Sequence, residues 1–285
     1  MKKLGFIGGG NMAEALIRGL LEKKIFAPDD LIASDVDPAR RRKLARQLKL
    51  ATTDSNHEVL REARAILFAV KPQNIDDVLR DLAALFAPLP AKLPRRVAKP
   101  LALKDRLFIS IAAGITLARF LDTFGPKARV IRVMPNAPAM VGHGMAALVR
   151  APGASKADEA FALKLFRAVG DAVALEDEKL LDAVTALSGS GPAYVYLFVK
   201  SLTDAGVAEG LPPALSLRMA LQTLRGAEVN MRESPLDAAE LIRIVASPGG
   251  TTEAALRKFA ESGFSDIVAD ALHAAAERSR ELGRS

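Results

Sequence analysis

Residues 3–13 read Lys3-Leu4-Gly5-Phe6-Ile7-Gly8-Gly9-Gly10-Asn11-Met12-Ala13. A short apolar run ends in three glycines, and Met12–Lys23 continues with Ala15, Leu16, Gly19 and Leu20 at helical spacing. The pattern is that of a buried parallel strand, a tight turn and a helix. The turn has the form Gly-x-Gly-x-x-Ala, with Gly8, Gly10 and Ala13 in the three small positions. Gly8 permits the bend, Gly10 lets backbone approach a pyrophosphate, and Ala13 lets the helix pack closely on the strand. The helix N-terminus adds free N–H groups and a partial positive charge. In strand–turn–helix context the motif points to a dinucleotide.

Outward from this turn, apolar runs alternate with amphipathic stretches. Strands are expected at Leu31–Ser34, Ala65–Val70, Leu107–Ile111 and Ala128–Val133, with further short ones at Ala146–Arg150 and Ala172–Leu175. Helices are expected between them at Pro38–Leu48, Ile75–Phe86, Thr116–Phe124 and Ser155–Val169. Such alternation implies a parallel sheet covered on both faces. After residue 175 only helical periods remain: Lys179–Leu187, Pro192–Glu209, Pro212–Arg232, Ala238–Val245, Thr252–Ser262 and Ser265–Leu282. The reading is an α/β chain: a Rossmann-type doubly wound sheet over 1–175, then an all-α domain over 176–285.

Composition narrows the function. The 285 residues contain no cysteine, which excludes disulfides, thiolate metal sites and a cysteine nucleophile. No apolar stretch approaches the ~18–20 residues of a membrane span, and Gly8–Gly10 interrupt any leader-like run, so a cytoplasmic protein is expected. The net charge of +7 suits anionic ligands, but aromatic residues at 5% leave few platforms for stacking bases, so no nucleic-acid partner is expected. Part of the basic excess lies in Ala87–Arg106, read as an exposed loop or insertion, with a binding tail as the alternative.

Other candidate positions sit at expected strand ends. Asp35 follows the second strand and could accept from ribose hydroxyls, favouring NAD. Arg40, Arg41 and Arg42 could pair with a 2′-phosphate, favouring NADP, or form a solvated helix face. Val70-Lys71-Pro72-Gln73 and Ala112-Ala113-Gly114 lie where open parallel sheets bind ligands. Asn136, between Pro135 and Pro138, could orient a ring or carboxamide or belong to a stiff connector. In the helical half, Ser247-Pro248-Gly249-Gly250-Thr251-Thr252-Glu253 feeds a helix N-terminus. It can present N–H groups to a carboxylate or phosphate, or be an ordinary cap with Glu253 closing the box. Ser188-Gly189-Ser190-Gly191-Pro192 is a similar loop. Three scattered histidines, His57, His143 and His273, show no metal spacing. A dinucleotide turn without an evident nucleophile suits hydride transfer, in which the cofactor carries the chemistry.

These motifs together resemble the pyrroline-5-carboxylate reductases over nearly the whole chain. The carriers are Ile7–Ala13, Ala69–Gln73, Ser110–Gly114, Arg132–Pro138, and above all Ser188–Tyr194 and Ser247–Thr252. The resemblance implies hydride transfer from NADPH, with NADH as the second candidate, to the imine carbon of 1-pyrroline-5-carboxylate, giving L-proline. It implies that Gly8, Gly10, Asn11, Met12 and Ala13 hold the pyrophosphate, and that Ser34 and Asn56 lie near the adenosine ribose. Ala69, Val70, Lys71, Pro72, Ala112 and Ala113 would line the dinucleotide. Gly250, Thr251 and Thr252 would bind the substrate carboxylate, with Thr252 hydrogen-bonded to the ring nitrogen as the catalytic position. The helical domain would dimerise, and dimers would assemble into a homodecamer. Asp35 and the length of Ala87–Arg106 depart from the family pattern. Two rival readings are a hydroxy-acid dehydrogenase, for which Lys200 lacks the surrounding motif, and an NAD(P)-binding sensor without turnover.

Overall fold

The computed structural model describes residues 1–86 and 101–283, so most of Ala87–Arg106 lies outside the described residues. Strand β1 (Lys2–Ile7) runs into helix α1 (Asn11–Glu22), as the opening motif requires. Then come β2 (Leu31–Ser34), α2 (Pro38–Leu48), β3 (Ala51–Thr53), α3 (Asn56–Glu62), β4 (Ala63–Phe68) and α4 (Ile75–Ala83). Next are β5 (Leu107–Ser110), α5 (Leu117–Phe124), β6 (Arg129–Pro135), β7 (Gly144–Arg150), α6 (Lys156–Phe166) and β8 (Gly170–Ala174). Helices α7 (Leu180–Val184), α8 (Gly191–Ala208), α9 (Pro213–Glu233), α10 (Ala238–Val245), α11 (Thr251–Glu261) and α12 (Phe264–Leu282) complete the chain.

The eight strands form one sheet in the order β3-β2-β1-β4-β5-β6-β7-β8. The first six positions follow the doubly wound Rossmann order, which reverses between β1 and β4. Leu4 is in register with Leu31 on one side and Ala65 on the other. Side chains alternate between two faces, and both are buried. Leu4, Phe6, Leu31, Ala33 and Ile109 pack with Leu16 and Leu20 of α1 and Phe166 of α6. Ile7, Ile32, Phe68 and Phe108 pack with Val59 of α3, Leu79 of α4 and Phe124 of α5. Phe108 stacks on Phe124 with ring centroids 4.6 Å apart. Each such apolar side chain contributes about 1.5–3 kcal/mol when fully buried, and a strand buried on both faces reads as the unbroken apolar run seen in the sequence.

Two differences from the sequence expectation have physical reasons. The sheet is not wholly parallel, because β7 runs antiparallel to β6. The intervening residues 136–143 contain no crossover helix, and so short a link can only return the chain antiparallel. The second difference is the pair β3 and α3, absent from the expectation. Strand β3 is a three-residue, partly exposed edge. Helix α3 is announced only by Ser55-x-x-Glu58, the sequence pattern of a capping box, of which only one half forms: the Ser55 hydroxyl accepts from the Glu58 N–H, while the Glu58 carboxylate accepts from the Thr53 hydroxyl.

Contacts divide the chain into two compact units: Met1–Gly189 with Ala276–Ser285, and Ser190–Ala275. In the first unit the end of α12 returns to the sheet domain, where the Ser279 hydroxyl donates to Asp182 at 2.7 Å. A Cβ on Gly114 would stand 3.3 Å from Cβ of Leu282. The second unit is helical and leaves many large apolar side chains exposed, including Tyr196, Leu197, Leu217, Leu221 and Ile244. Among the described residues no helix is long and apolar enough to cross a membrane.

Candidate functional site

In the first unit the glycine turn sits at the carboxyl ends of β1 and β4. Gly8 has φ +94°, and a Cβ there would lie 2.9 Å from the backbone carbon and oxygen of Ala69. Both facts demand glycine. The Gly8 N–H donates to the Ser34 carbonyl at 2.9 Å, and the Ala69 N–H donates to the Ile7 carbonyl at 2.8 Å. The turn is thereby fixed between β2 and β4. Gly10, the N-cap of α1, differs: its φ of −62° is ordinary, and a Cβ would meet only the Ala69 oxygen at 4.0 Å. The space above it is open.

The N-terminus of α1 carries no side-chain cap. Helices α2, α3, α6 and α10 are capped by Asp37, Ser55, Ser155 and Asp237, whereas α4, α5, α7, α8 and α9 also lack a side-chain cap; the glycine at the N-cap is what α1 shares with α11 alone among the described helices whose N-cap is defined. The first intrahelical bond of α1 runs from the Glu14 N–H to the Gly10 carbonyl, so the N–H groups of Asn11, Met12 and Ala13 have no helical acceptor. An uncapped helix end facing a glycine-made opening fits the pyrophosphate of a dinucleotide. Asn11 is exposed, Met12 is partly buried, and Ala13 is fully buried. Ala13 thus serves close packing, not side-chain contact.

Of the two cues beside β2, Asp35, Arg40 and Arg41 have partners within the protein, and Arg42 is exposed. The Asp35 carboxylate accepts from the Gly9 N–H at 2.8 Å and from the Asp37 N–H at 2.9 Å. Arg40 donates to the Gly9 carbonyl and to Asn11 and pairs with Glu14. Arg41 donates to the carbonyls of Asp35 and Val36. Asp35 and Arg40 therefore brace the glycine turn from either side, a role that no local sequence signal announces. Ser34 is 1% exposed, and its hydroxyl donates to the Asn56 side-chain oxygen at 2.6 Å. This brings together the two residues expected near the ribose.

The remaining positions of the first unit line adjacent strand ends. Ala69, Val70, Lys71 and Pro72 follow β4, with Lys71 and Pro72 exposed. Ala113 is exposed, whereas Ala112 is buried and its N–H donates to the Ser110 hydroxyl at 3.3 Å. Asn136 serves the connector. Its amide nitrogen donates to the Ser188 carbonyl and hydroxyl, and its oxygen accepts from the Met145 N–H at 2.8 Å. The helix expected to Leu187 ends in a π-helical turn, Thr185–Gly189, which takes in Ser188 and Gly189 of the loop expected over Ser188–Pro192, and a Cβ on Gly189 would strike the Met134 methyl at 2.4 Å.

In the second unit, Gly250 is the N-cap of α11 and again provides no side-chain cap. The Ala254 N–H donates to the Gly250 carbonyl at 3.2 Å, which leaves the N–H groups of Thr251, Thr252 and Glu253 without a helical acceptor. Glu253 closes no capping box on Gly250. Its carboxylate accepts from the Gly249 N–H at 2.6 Å instead and holds Gly249 at φ +71°. Thr251 is exposed and Thr252 half-buried. The arrangement can receive a carboxylate on backbone N–H groups and a polar ring atom on a hydroxyl.

The sheet order and the glycine turn place this molecule in the class of Rossmann-type dinucleotide-binding proteins. The family model described as coenzyme F420-dependent NADP oxidoreductase matches residues 3–114. The model described as pyrroline-5-carboxylate reductase dimerisation matches residues 178–282. A pyrroline-5-carboxylate reductase of Synechocystis is 39% identical over 99% of this chain and 98% of its own length. That of Pseudomonas aeruginosa is 39% identical over 98% and 96%. Among solved structures, the Coxiella burnetii reductase has a TM-score of 0.88 at 29% identity, covering 100% of this chain and 99% of that one. The Plasmodium falciparum enzyme with NADP bound has a TM-score of 0.84 at 31% identity, covering 99% and 98%. This chain belongs to the pyrroline-5-carboxylate reductase family.

Proposed function

We propose that the protein reduces 1-pyrroline-5-carboxylate to L-proline with NADPH. The observation that carries the reading is the pair of uncapped helix N-termini, each behind a glycine, in a chain of this family. The N–H groups of Asn11, Met12 and Ala13 receive the pyrophosphate, and those of Thr251 and Thr252 receive the substrate carboxylate. Ser34 and Asn56 contact the adenosine ribose, while Ala69–Pro72 and Ala112-Ala113 line the dinucleotide. The reduced nicotinamide supplies a hydride to the imine carbon, while the ring nitrogen gains one proton from its iminium form or from water. Thr252 donates to or accepts from that nitrogen and orients the ring; a threonine hydroxyl is too weak an acid to supply the proton at neutral pH. The protein's contribution is therefore positioning.

NADH is the second reading, and Asp35 favours it, because an acid after β2 disfavours a 2′-phosphate. Its bonds to Gly9 and Asp37 support NADPH as the first reading, since they give the carboxylate a task within the turn. In our reading residues 1–175 serve the cofactor, residues 176–285 serve substrate and dimerisation, and dimers build a cytoplasmic homodecamer.

The test follows nicotinamide absorbance with 1-pyrroline-5-carboxylate, NADPH and NADH in parallel, with proline quantified. Thr252→Ala should lose about 10- to 100-fold in kcat/KM, in line with the loss of one positioning hydrogen bond. It should leave cofactor affinity intact, and Thr252→Ser should recover most of the rate. Cofactor binding without oxidation would overturn the reductase reading in favour of a sensor.

A further inference from the structure

The cofactor end of the sheet is its carboxyl end. At the opposite end, the starts of β1, β4, β5 and β6 and the first turns of α6 border an open cleft of about 700 Å³ within the first unit. Its charged wall is unbalanced. Lys3 is paired with Asp30 at 3.1 Å, and Arg129 is paired with Asp158. That leaves Arg64, Lys104 and Arg106 against the single carboxylate Asp105. Among the described residues, no ion pair involves any of these three cations.

Arg106 is the unusual member, being only 4% exposed. Its guanidinium donates to the carbonyls of Leu60 at 3.0 Å, Arg61 at 3.4 Å and Asp105 at 3.4 Å. Leu60 and Arg61 belong to the last turn of α3, so Arg106 caps that helix. Carbonyls supply partial charge only, and no carboxylate pairs directly with the buried guanidinium; Asp105 acts on it through space. Burial pushes its pKa down, and the neighbouring Arg64 lowers it further against the opposing pull of Asp105. A buried charge in this state gains from any anion that reaches it.

The same cleft has an apolar side. Phe26 and Phe161 meet there with ring centroids 6.3 Å apart. A wall with two surplus positive charges and a pair of aromatic rings has the chemistry of a site for a doubly charged oxyanion on a flat apolar body. We propose that this cleft binds a phosphate monoester of an aromatic or heteroaromatic group, at a site separate from the dinucleotide turn. Arg64 and Lys104 hold the phosphate, Arg106 adds its charge from beneath while anchored on the α3 carbonyls, and the Phe26–Phe161 side receives the ring.

The test uses the full chain, first saturated with NADP+ to occupy the dinucleotide end, at constant ionic strength. Phenyl phosphate and inorganic phosphate are titrated calorimetrically. Phenyl phosphate should bind saturably, at least tenfold more tightly than inorganic phosphate. The double variant Arg64→Glu, Lys104→Glu, altered at two exposed positions, should weaken it at least tenfold. Arg80→Glu on α4, which changes the same kind of charge elsewhere, should leave it unchanged. Absence of saturable binding, equal affinity for the two phosphates, or indifference to the double variant each overturns the proposal. Imine reduction by the double variant should equal that of the parent, so the result is independent of the proposed activity.

Discussion

Gly10→Ala separates folding from cofactor binding in a way the structure makes quantitative. The backbone at Gly10, with φ −62° and ψ −178°, is open to any residue, and the new methyl would find only the Ala69 oxygen at 4.0 Å. Replacing glycine by alanine at an N-cap costs about 0.5–1 kcal/mol. The stiffer unfolded chain offsets that by about 0.4–1 kcal/mol. Stability without cofactor should therefore move by less than about 1 kcal/mol. Bound pyrophosphate would have to share its space with the methyl, and overpacking of that kind costs about 1–3 kcal/mol. This corresponds to roughly 5- to 150-fold in Kd. Gly8→Ala makes the contrast. At φ +94° and 2.9 Å from the Ala69 backbone, strain and overpacking together should lower stability by about 2–4 kcal/mol. Urea unfolding of both variants without cofactor, and NADPH titration followed by fluorescence, measure the two effects separately. Parent-like NADPH affinity in Gly10→Ala, or parent-like stability in Gly8→Ala, would refute the assignment of the turn.

Three further outcomes are expected. Burial raises the Asp158 carboxyl, but hydrogen bonds from Arg129 and Ser155 outweigh it and hold the pKa below the ordinary value. Its stabilisation is complete above the unfolded carboxyl's ~3.9 and is lost as pH falls through the lower folded value; the urea-melt gap between parent and Asp158→Asn should therefore narrow below about pH 4. Asn136→Ala leaves the Met145 N–H unpaired and removes the Asn136 donor from Ser188, and should lower the unfolding free energy by about 1–3 kcal/mol while speeding hydrogen exchange across Thr185–Gly189. Leu197→Glu places a charge on an apolar surface where Leu197 is 65% exposed, and sedimentation velocity should show a smaller species than the parent.

What the sequence discloses depends on how local the determinant is. Ile7–Ala13 is legible because bend, backbone approach and helix packing are imposed by residues within one turn. The apolar runs of β1, β4 and β5 are legible because burial on both faces confines their polar residues to the strand ends, while β6 is read through its one internal charge, Arg132. Strand β3 is not, since three edge residues have no period to read. The Asp35 carboxylate could be assigned to a ribose or to the protein itself only once Gly9 was seen beside it. Asn136 could face a ligand or stiffen the connector, and the sequence does not choose, because Ser188 and Met145, which take up its hydrogen bonds, are distant in sequence or on another strand. The cluster at Arg64, Lys104 and Arg106 comes from the starts of different strands and is invisible in one dimension.

The first unit is discontinuous, and that has a consequence for biosynthesis. Its sheet and glycine turn are encoded by Met1–Gly189, yet Ala276–Gly283, which contribute the Ser279–Asp182 bond and the packing on Gly114, belong to it as well. On the ribosome the sheet emerges first, and all of Ser190–Ala275 must be translated before the closing segment exists. For that interval the turn Ala112–Gly114 is bare of its Leu282 cover. A nascent chain arrested within the helical half should therefore carry a formed but loosely closed dinucleotide domain, and protease sensitivity at that turn would disappear only once Leu282 has left the ribosome.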